Sequence, residues 1–295
     1  MVERFCAILE DRGVLEVTGA DRYQFLQGLV SNDVEKATPG RALYAALLTA
    51  QGKYLHDFFI VVMGESLFLD GESARLADLK RRLGLYKLRA KVSLAAASER
   101  YIVAAAFGDG VADALGLPAE RGTAMAFAGG VAYVDPRLAE LGARLLLPRG
   151  VGAAPLTERG FRMSDVVDYD RRRLALGVPD GSRDLVLDKS ILLESGFDEL
   201  NGVDWQKGCY VGQELTARTK YRGLIKKRLM PVAVDGPLPP PGTPVMAGDQ
   251  EAGEMRSGRD GMGLALLRLE ALAESKPLTA AGAKLTPQKP DWAKF

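Results

Sequence analysis

The sequence predicts an α+β protein followed by a compact all-β domain. Up to residue 224, strand-like apolar runs alternate with segments whose apolar residues recur at helical spacing. Beyond that point, a proline-rich turn at 236–242 separates short apolar runs that lie close together in the sequence. Short strands at close spacing are typical of a small β-barrel or sandwich. We therefore predict two regions, residues 1–224 and residues 225–295.

The N-terminal region opens with two predicted strands, a helix and a hairpin. Strand-like runs at 7–9 and 14–18 flank a turn at Asp11-Arg12-Gly13. Thr18–Asp21 has capping-box spacing, so we expect a helix after it. The apolar runs 42–50 and 54–63 surround Gln51-Gly52-Lys53, where the glycine gives the backbone the freedom that a tight turn needs.

Two more helices are predicted before the all-β domain. The segment Glu72–Leu83 is amphipathic. Ser164-Asp165 can cap a helix that runs through Arg171-Arg172-Arg173 and stops near Gly177. We expect these three arginines to form a solvated helix face, with an anion site as the alternative. Further strands are expected at 92–96, 101–107, 131–134 and 144–147.

Composition and charge restrict the class of protein. The chain has 39 basic and 38 acidic residues, so a net charge of +1 gives no general bias toward nucleic acid or membrane. Two cysteines exclude a disulfide framework and suit a reducing compartment. The first residues lack the apolar run of a secretory signal, and early acidic residues argue against a transit peptide. We therefore expect a soluble cytoplasmic protein.

The chain lacks the common zinc motifs. It has one histidine, His56, and no Cys-x-x-Cys pair, so we expect no metal site. A nucleophilic pair of Cys209 and His56 stays formally open, although only the two residue types support it.

The segment Lys207–Gly223 carries the strongest functional signal. Gly208 and Gly212 flank Cys209. The two glycines permit backbone conformations that expose the cysteine side chain or let a ligand approach the backbone closely. Between residues 207 and 228, seven cations accompany one acid, Glu214. Cations near a thiol favour the thiolate, so Cys209 should react more readily than a free cysteine. An isolated cysteine is usually a small buried hydrophobic residue, and a basic run is usually a solvated face. The prediction therefore depends on the cysteine, the glycines and the cations occurring together.

This segment resembles the YgfZ-type folate-binding proteins, relatives of the glycine-cleavage aminomethyltransferase GcvT that take part in iron–sulfur protein assembly or repair. The matching positions are Lys-Gly-Cys-Tyr-x-Gly-Gln-Glu at 207–214, Ala-Arg at 217–218 and Tyr-Arg-Gly at 221–223. The resemblance extends to residues 17–34, 48–53 and 201–206, whereas 110–160 are not distinctive. It implies two interleaved α+β subdomains of GcvT/YgfZ type followed by a C-terminal β-barrel.

The ligand that the resemblance implies is tetrahydrofolate or a one-carbon derivative. An anionic polyglutamate tail would suit Arg218 and Arg222. Cys209 is the implied reactive group, and Asp57 stands where aminomethyltransferases carry a catalytic aspartate, with a surface carboxylate at a strand end as the alternative. The implied ligand-binding residues are Lys207, Gly208, Tyr210, Gly212, Gln213, Glu214, Arg218, Tyr221, Arg222, Gln27 and Asn32.

The resemblance favours a monomeric factor that assists iron–sulfur cluster assembly or repair in client enzymes, including those that modify tRNA. Cys209 would be a transient thiolate ligand or a redox-sensitive group. One thiol cannot hold a cluster that normally takes four ligands, so the contact must be shared or brief. We expect iron–sulfur client or assembly proteins as partners, and neither a membrane nor, directly, a nucleic acid.

Two alternatives stay open. One is a folate-dependent aminomethyl or one-carbon transferase. Against it, the transferases carry an Arg-Leu-Glu-Ala-Gly-like run, whereas residues 173–177 read Arg-Leu-Ala-Leu-Gly and lack the carboxylate. The other is direct tRNA binding, in which the basic strip contacts phosphates while Tyr210 and Tyr221 stack on bases. The near-neutral net charge opposes it.

Overall fold

The computed structural model describes residues 3–223, 225–273 and 276–295. These residues form two compact units, each drawn from three separate stretches of the chain. The first unit comprises the described residues of Met1–Leu48, His56–Tyr169 and Leu200–Val211, and the second comprises those of Thr49–Leu55, Asp170–Glu199 and Gly212–Phe295. The predicted α+β class with a C-terminal barrel is confirmed. Leu224 lies outside the described residues, and the domain boundary there stays a prediction.

Two sheets account for the first eleven strands. One has the order β11-β1-β7-β10-β9-β8 and the other the order β3-β4-β5-β2-β6. β11 pairs parallel with β1, whereas β1 with β7, β7 with β10, β10 with β9, β9 with β8, β2 with β5, β2 with β6 and β4 with β5 pair antiparallel. The strands are β1 (Arg4–Ile8), β2 (Arg12–Thr18), β3 (Leu43–Leu48), β4 (Tyr54–Met63), β5 (Ser66–Glu72), β6 (Ser93–Ala96), β7 (Tyr101–Gly108), β8 (Ala124–Phe127), β9 (Gly130–Val134), β10 (Ala143–Pro148) and β11 (Arg162–Met163).

The described helices are short, from four to ten residues. They are α1 (Arg22–Gln27), α2 (Leu76–Leu85), α3 (Val111–Leu115), α4 (Ala154–Glu158), α5 (Val166–Ala175), α6 (Gly181–Asp184), α7 (Gln213–Tyr221) and α8 (Leu269–Ala273). The amphipathic prediction for α2 is confirmed, because Leu79 and Leu83 are buried. None of the helices in the described ranges is long and apolar enough to cross a membrane.

The two predicted helix caps have opposite outcomes. Asp165 caps α5 as expected, since its Oδ1 accepts a hydrogen bond from the backbone N–H of Val167 at 2.9 Å. The predicted capping box before α1 is wrong, because Asp21 makes no side-chain cap bond. Its Oδ2 instead accepts a 2.7 Å hydrogen bond from the N–H of Lys91, which is distant in sequence. The local pattern predicted that the Asp21 carboxylate would cap the helix, but it bonds to the backbone of Lys91 instead.

The hairpin between β3 and β4 confirms the predicted turn and explains its glycine. The N–H of Gly52 donates to the carbonyl of Thr49 at 2.8 Å, and Gly52 has a φ of +78°, a left-handed conformation that favours glycine. A Cβ at this position would lie 2.6 Å from the Cβ of Leu215 and 2.7 Å from the carbonyl oxygen of Gly212. The turn therefore needs glycine for both conformation and space.

The C-terminal strands close into a barrel with the order β12-β15-β14-β13-β16-β17. Closure follows from the pairing of β12 with both β15 and β17. Alternate residues such as Met230 and Val232 point into an apolar core with Met255 and Leu267. The strands are β12 (Lys227–Asp235), β13 (Pro244–Ala247), β14 (Gln250–Arg259), β15 (Met262–Arg268), β16 (Leu278–Ala280) and β17 (Ala283–Pro287).

The arginine run of α5 corrects another expectation. Arg173 is buried, not solvated, and donates to Asp170 at 2.7 Å and to Asp184 at 2.8 Å. It also donates to the hydroxyl of Ser257 on β14 at 2.7 Å. Arg171, by contrast, is exposed and pairs with Asp260. A charged residue on a helix can be buried when several acceptors converge on it, which the sequence pattern does not reveal.

Candidate functional site

The two cysteines have opposite environments. Cys6 is 1% exposed in β1, where its Sγ donates to the Sδ of Met163 at 3.4 Å, and burial raises the pKa of its thiol. Cys209 is exposed and free. It belongs to the first unit, in the stretch Leu200–Val211. Cys209 is therefore the thiol through which this chain can contact another molecule.

Lys207 fixes the chain two residues before Cys209. Its ammonium group donates three hydrogen bonds, to the backbone carbonyls of Gln27 at 2.8 Å, Val30 at 2.6 Å and Asn32 at 2.7 Å. Carbonyls after the last turn of a helix lack intrahelical partners, and a lysine can satisfy them. Because an ammonium has three N–H donors, all of them are in use here. Burial lowers the pKa of Lys207 to about 8, opposed by the charges of Asp33 and Asp204.

A tight turn at Asp204 leads the chain into this contact. The Oδ1 of Asp204 accepts hydrogen bonds from the N–H groups of Gln206 at 2.8 Å and Lys207 at 3.1 Å. Its Oδ2 pairs with the ammonium of Lys36. Burial alone would raise the pKa of the Asp204 carboxyl, but the bonds from Lys36 and the backbone outweigh burial and lower it. The turn thus stays anionic and ordered at neutral pH.

Gln27 and Asn32, both predicted to bind the ligand, organise the segment that receives Lys207. The Nδ2 of Asn32 donates to the carbonyls of Tyr44 and Asn201, both at 2.7 Å, and its Oδ1 accepts from the N–H of Asp33. The Nε2 of Gln27 donates to the Oδ1 of Asp33 at 2.7 Å, and its Oε1 accepts from the N–H of Val34 at 2.8 Å. Both side chains therefore have internal partners, and their ligand-binding role stays a prediction.

Ser31 is a site residue that the sequence reading missed. Ser31 is fully buried. Its hydroxyl donates a hydrogen bond to the carbonyl of Gly202 at 2.5 Å and accepts one from the N–H of Ala46 at 2.8 Å. The carbonyl of Ser31 also accepts from the N–H of Asp204 at 3.0 Å. Its position in the Ser31-Asn32-Asp33 run, beside a predicted ligand-binding residue, was the available signal.

Tyr210 and Val211 complete the attachment on the other side of Cys209. Tyr210 is 9% exposed, and the ammonium of Lys207 lies 5.0 Å from its ring centroid, within cation–π range. The N–H of Val211 donates to the carbonyl of Gly28 at 3.1 Å. Cys209 and Gly208 are thus the exposed residues of a short segment held on both sides. A Cβ at Gly208 would meet nothing within 4 Å.

The remaining predicted ligand-binding residues belong to the second unit. Gly212 has a φ of +83° and precedes α7, which contains Gln213, Glu214, Arg218 and Tyr221. Arg218 forms an ion pair with Glu214 one helical turn earlier. Tyr221 and Arg222 are exposed where the helix ends.

The basic run carries less free charge than the sequence suggests. Arg228 is buried, donates to the Leu193 carbonyl at 2.8 Å and pairs with Glu199 at 2.7 Å. Lys220 lies 3.6 Å from Asp198. These acids lie outside the run, so counting charge along the segment missed them. These two outside acids reduce the surplus of cations in the run from six to four.

Asp57 lies in a buried polar network of the first unit. It is 4% exposed, and its Oδ2 accepts a 2.8 Å hydrogen bond from the hydroxyl of Tyr44. Burial and the charge of Asp57 raise the pKa of that tyrosine. The proposed alternative, a surface carboxylate at a strand end, is excluded by the burial of Asp57.

The same network connects the two sheets of the first unit through Asp70. Arg12 on β2 donates to its Oδ1 at 2.7 Å, and Arg144 on β10 donates to its Oδ2 at 2.7 Å. Burial alone would raise the pKa of Asp70, but the two guanidinium groups outweigh it and lower that pKa. The guanidinium of Arg144 lies 4.2 Å from the ring centroid of Phe59. Charged residues inside apolar strand runs were the sequence signal for this network.

His56 is also occupied within the first unit. Its Nε2 lies 2.9 Å from the Oδ2 of Asp78, and the histidine is 4% exposed. Burial, aided by the charge of Arg75, lowers the pKa of His56 to about 4. The imidazole is therefore neutral and bonded at physiological pH. No hydrogen bond joins it to Cys209 in the described part of the chain, so the open Cys–His pair finds no support.

The fold defines the class of protein. It matches a crystal structure of the glycine cleavage system aminomethyltransferase T from Bartonella henselae with a TM-score of 0.79, over 99% of this chain and 87% of that one, at 15% identity. Such low identity shows a shared fold alone. Residues 226–295 match the family model of the CAF17 C-terminal β-barrel domain.

Full-length relatives specify the family. The mitochondrial iron–sulfur cluster assembly factor IBA57 of Mus musculus is 36% identical over 97% of this chain and 85% of its own length. That of Homo sapiens is 35% identical with the same coverage, and the Neurospora crassa homologue is 33% identical over 76% of this chain and 52% of its own length. The chain belongs to the IBA57 family of iron–sulfur cluster assembly factors. The expected YgfZ type is its bacterial relative, so that resemblance was correct only at the broader level.

The predicted cytoplasmic location is wrong by this comparison, because the relatives named above are mitochondrial proteins. The prediction used cysteine content and the first few residues. Free thiols indicate a reducing environment, which more than one compartment provides, so they could not identify the compartment.

Proposed function

We propose that this protein assists the assembly or repair of iron–sulfur clusters on client proteins, with Cys209 supplying a thiolate ligand to a cluster in transit. One observation carries the proposal: the exposed thiol sits on a segment attached at Lys207, Tyr210 and Val211, in a chain of the IBA57 family. An iron-binding cysteine must be deprotonated and accessible. The segment meets the second requirement with little freedom to lose on binding.

The cluster is shared with a partner in this proposal. A cluster normally takes four ligands, whereas this chain has two cysteines and Cys6 is buried. Cys209 therefore occupies one position, and the partner protein provides the others. As the sulfur of Cys209 binds iron, the thiol releases its proton and one ligand of the partner is displaced. We extend the clients to the iron–sulfur enzymes that modify tRNA.

Complementation tests the role of the thiol. Cells lacking the protein receive wild type, Cys209→Ser or Cys6→Ala, and iron–sulfur enzyme activities are measured. We expect Cys209→Ser to fail and Cys6→Ala to succeed, because Cys6 is enclosed in the core of the six-stranded sheet. Full restoration by Cys209→Ser would show that the thiol has no role in assembly. Circular dichroism of both variants controls for folding.

Tetrahydrofolate binding is a separate part of the proposal. Gln27, Asn32 and Lys207 use polar atoms for hydrogen bonds inside the first unit, which leaves fewer of them for the ligand contacts that the resemblance implies. Arg222 and Tyr221 are exposed at the end of α7 and suit a polyglutamate tail. Calorimetry should show tighter binding of polyglutamylated than of monoglutamyl tetrahydrofolate, a difference that Arg222→Gln removes. No binding of either compound would refute this part.

No observation favours the transferase or the RNA binder as a second function. Asp57 is enclosed and bonded to Tyr44, so it is badly placed to take a proton from a substrate. Position 175 is alanine, and no carboxylate stands there to hold a pterin. Three cations of the basic strip, Arg218, Lys220 and Arg228, form ion pairs with Glu214, Asp198 and Glu199, which weakens a phosphate-binding role.

A further inference from the structure

A loop of the first unit far along the sequence from Cys209 exposes several apolar side chains. Residues 85–91, here the Leu88 loop, connect α2 to β6. Leu85 is 65% exposed, Tyr86 is 44% exposed and Leu88 is 90% exposed. Single exposed apolar residues are common, but three within four positions of the sequence are typical of a surface that binds a partner.

The backbone of Leu88 is strained as well as exposed. The N–H of Ala90 donates to the carbonyl of Lys87 at 2.7 Å, which closes a turn with Leu88 at its first central position. Leu88 has a φ of +39°, in the left-handed region where glycine, asparagine or aspartate is favoured. A leucine here gains no burial to offset the strain. The fold of this chain alone therefore gives no reason for leucine at position 88.

The loop is held in place at both ends. On one side, Leu83 of α2 is buried, and its carbonyl accepts from the N–H of Tyr86 at 3.0 Å. On the other side, the N–H of Lys91 donates to the Oδ2 of Asp21 at 2.7 Å, and Val92 is buried. A fixed backbone presents the apolar side chains, so binding through them costs little ordering entropy.

The surroundings of the patch are strongly basic. Residues 79–98 contain six cations and no acid, in a protein with a net charge of +1. Arg81 and Arg82 pair with Asp78 at the start of α2. Within the described ranges, no ion pair involves the other four, which are Lys80, Lys87, Arg89 and Lys91.

We propose that the Leu88 loop is the docking surface for a protein partner whose contact region is apolar at its centre and bordered by aspartate and glutamate. The proposal rests on the assembly function above, since a factor that shares a cluster must contact the protein that holds it. Leu88 would fill an apolar pocket of the partner, while Lys87 and Arg89 meet its acids. Tyrosine and arginine, both present here, are typical of protein interfaces.

A protein fits these observations better than a membrane surface does. Membrane-binding segments bury a continuous apolar face among the lipid chains. Here Lys87 and Arg89 directly flank Leu88, so the apolar contact is one side chain wide at the tip. A pocket in a protein can enclose a single leucine and pair with both neighbouring cations.

Photo-crosslinking tests the partner directly. Leu88→benzoylphenylalanine is introduced into the full chain, in cells that depend on it, and the crosslinked peptide is sequenced. We expect a protein peptide rich in acidic residues, with a yield that falls about tenfold when Lys87→Glu and Arg89→Glu are added. The control pair, Lys189→Glu and Lys284→Glu, changes the net charge equally at exposed positions of the second unit and should leave the yield unchanged.

Several outcomes would overturn the proposal. They are the absence of a crosslink, a crosslink to lipid, to nucleic acid or to a second copy of this chain, and a protein crosslink whose yield is insensitive to the charge reversal. The first four identify no occupant or a different one, and the last identifies a protein contact that does not use Lys87 and Arg89.

An activity measurement separates this surface from the role of Cys209. Asparagine tolerates the left-handed backbone, so Leu88→Asn should keep the melting temperature while lowering iron–sulfur enzyme activity in cells about fivefold. Val151→Asn, at a residue 39% exposed, is the matched control. If Leu88→Asn is fully active while Cys209→Ser is not, the docking surface fails alone. If Cys209→Ser is active, the proposed role of the thiol in assembly fails instead.

Discussion

Replacing Lys207 with methionine removes the ammonium group and keeps most of the aliphatic chain. Three carbonyls, of Gln27, Val30 and Asn32, then lose donors that now lie 2.6–2.8 Å away. A hydrogen bond to a charged group is worth about 1.5–3 kcal/mol, and a buried carbonyl left unpaired costs about 1–3 kcal/mol. Lys207 is half-buried, so water can reach part of the site. We therefore expect Lys207→Met to lower the free energy of unfolding by about 2–4 kcal/mol.

Two measurements follow this variant. Denaturant unfolding gives the loss of stability, and hydrogen exchange reports the N–H of Val211, which bonds to Gly28 beyond Cys209. Exchange of this N–H should accelerate, because the segment has lost its main attachment. Lys207→Arg should not restore either value, since a planar guanidinium cannot place one nitrogen among three carbonyls.

The control is Lys226→Met, which removes an exposed cation from the same basic run. It should change the free energy of unfolding by less than about 0.5 kcal/mol. The reasoning is refuted if Lys207→Met behaves like Lys226→Met in both measurements. That result would mean that the three short contacts contribute nothing, and that Lys207 is available for the ligand-binding role expected from the sequence.

Three further predictions concern glycines and the histidine. Gly52→Ala should destabilise the protein by about 2 kcal/mol or more because its Cβ meets Leu215, whereas Gly64→Ala, also left-handed but in open space, should cost about 1 kcal/mol in thermal unfolding. Gly208→Ala has room for its Cβ, so this variant should leave the melting temperature unchanged. If the variant also leaves iron–sulfur enzyme activity in cells unchanged, no ligand approaches the backbone at residue 208 closely. The pKa of His56 is about 4 in the folded protein and 6.5 in the reference state, so the unfolded chain binds more protons between these values and stability falls as pH drops from 6.5 to 4. The loss should reach about 3 kcal/mol relative to His56→Gln in urea unfolding, and equal pH profiles of the two proteins would contradict it.

The strongly patterned elements were predictable because their sequence periods are local. β2, the β3–β4 hairpin and α2 follow from apolar spacing and one glycine. By contrast, β14 was missed, since Gln250–Arg259 is mostly polar and small. Its pairing with β13 and β15 completes the barrel, and its Ala252 and Met255 lie in the barrel core. Long-range pairing decided that strand, and periodicity over ten residues could not reveal it.

The functional residues divide in the same way. The Cys209 motif could be found because it is contiguous, and its family resemblance indicated iron–sulfur assembly. The roles of its neighbours could not be predicted, because each depends on atoms distant in sequence. Lys207 is an example: its cationic type suggested a ligand, yet carbonyls some 175–180 residues away in sequence surround it.

The sequence by itself determined the α+β class, the C-terminal barrel, the hairpin at Gly52 and the position of the one motif with an unusual cysteine. Only the tertiary structure decided that Cys209 is exposed while Cys6 is buried, that Asp57 lies inside a polar network, and that Arg228 of the basic run is buried and paired with Glu199. The physical reason is one of range. Hydrophobic periodicity and turn chemistry act over a few residues, whereas burial and charge neutralisation depend on which distant segments fold together.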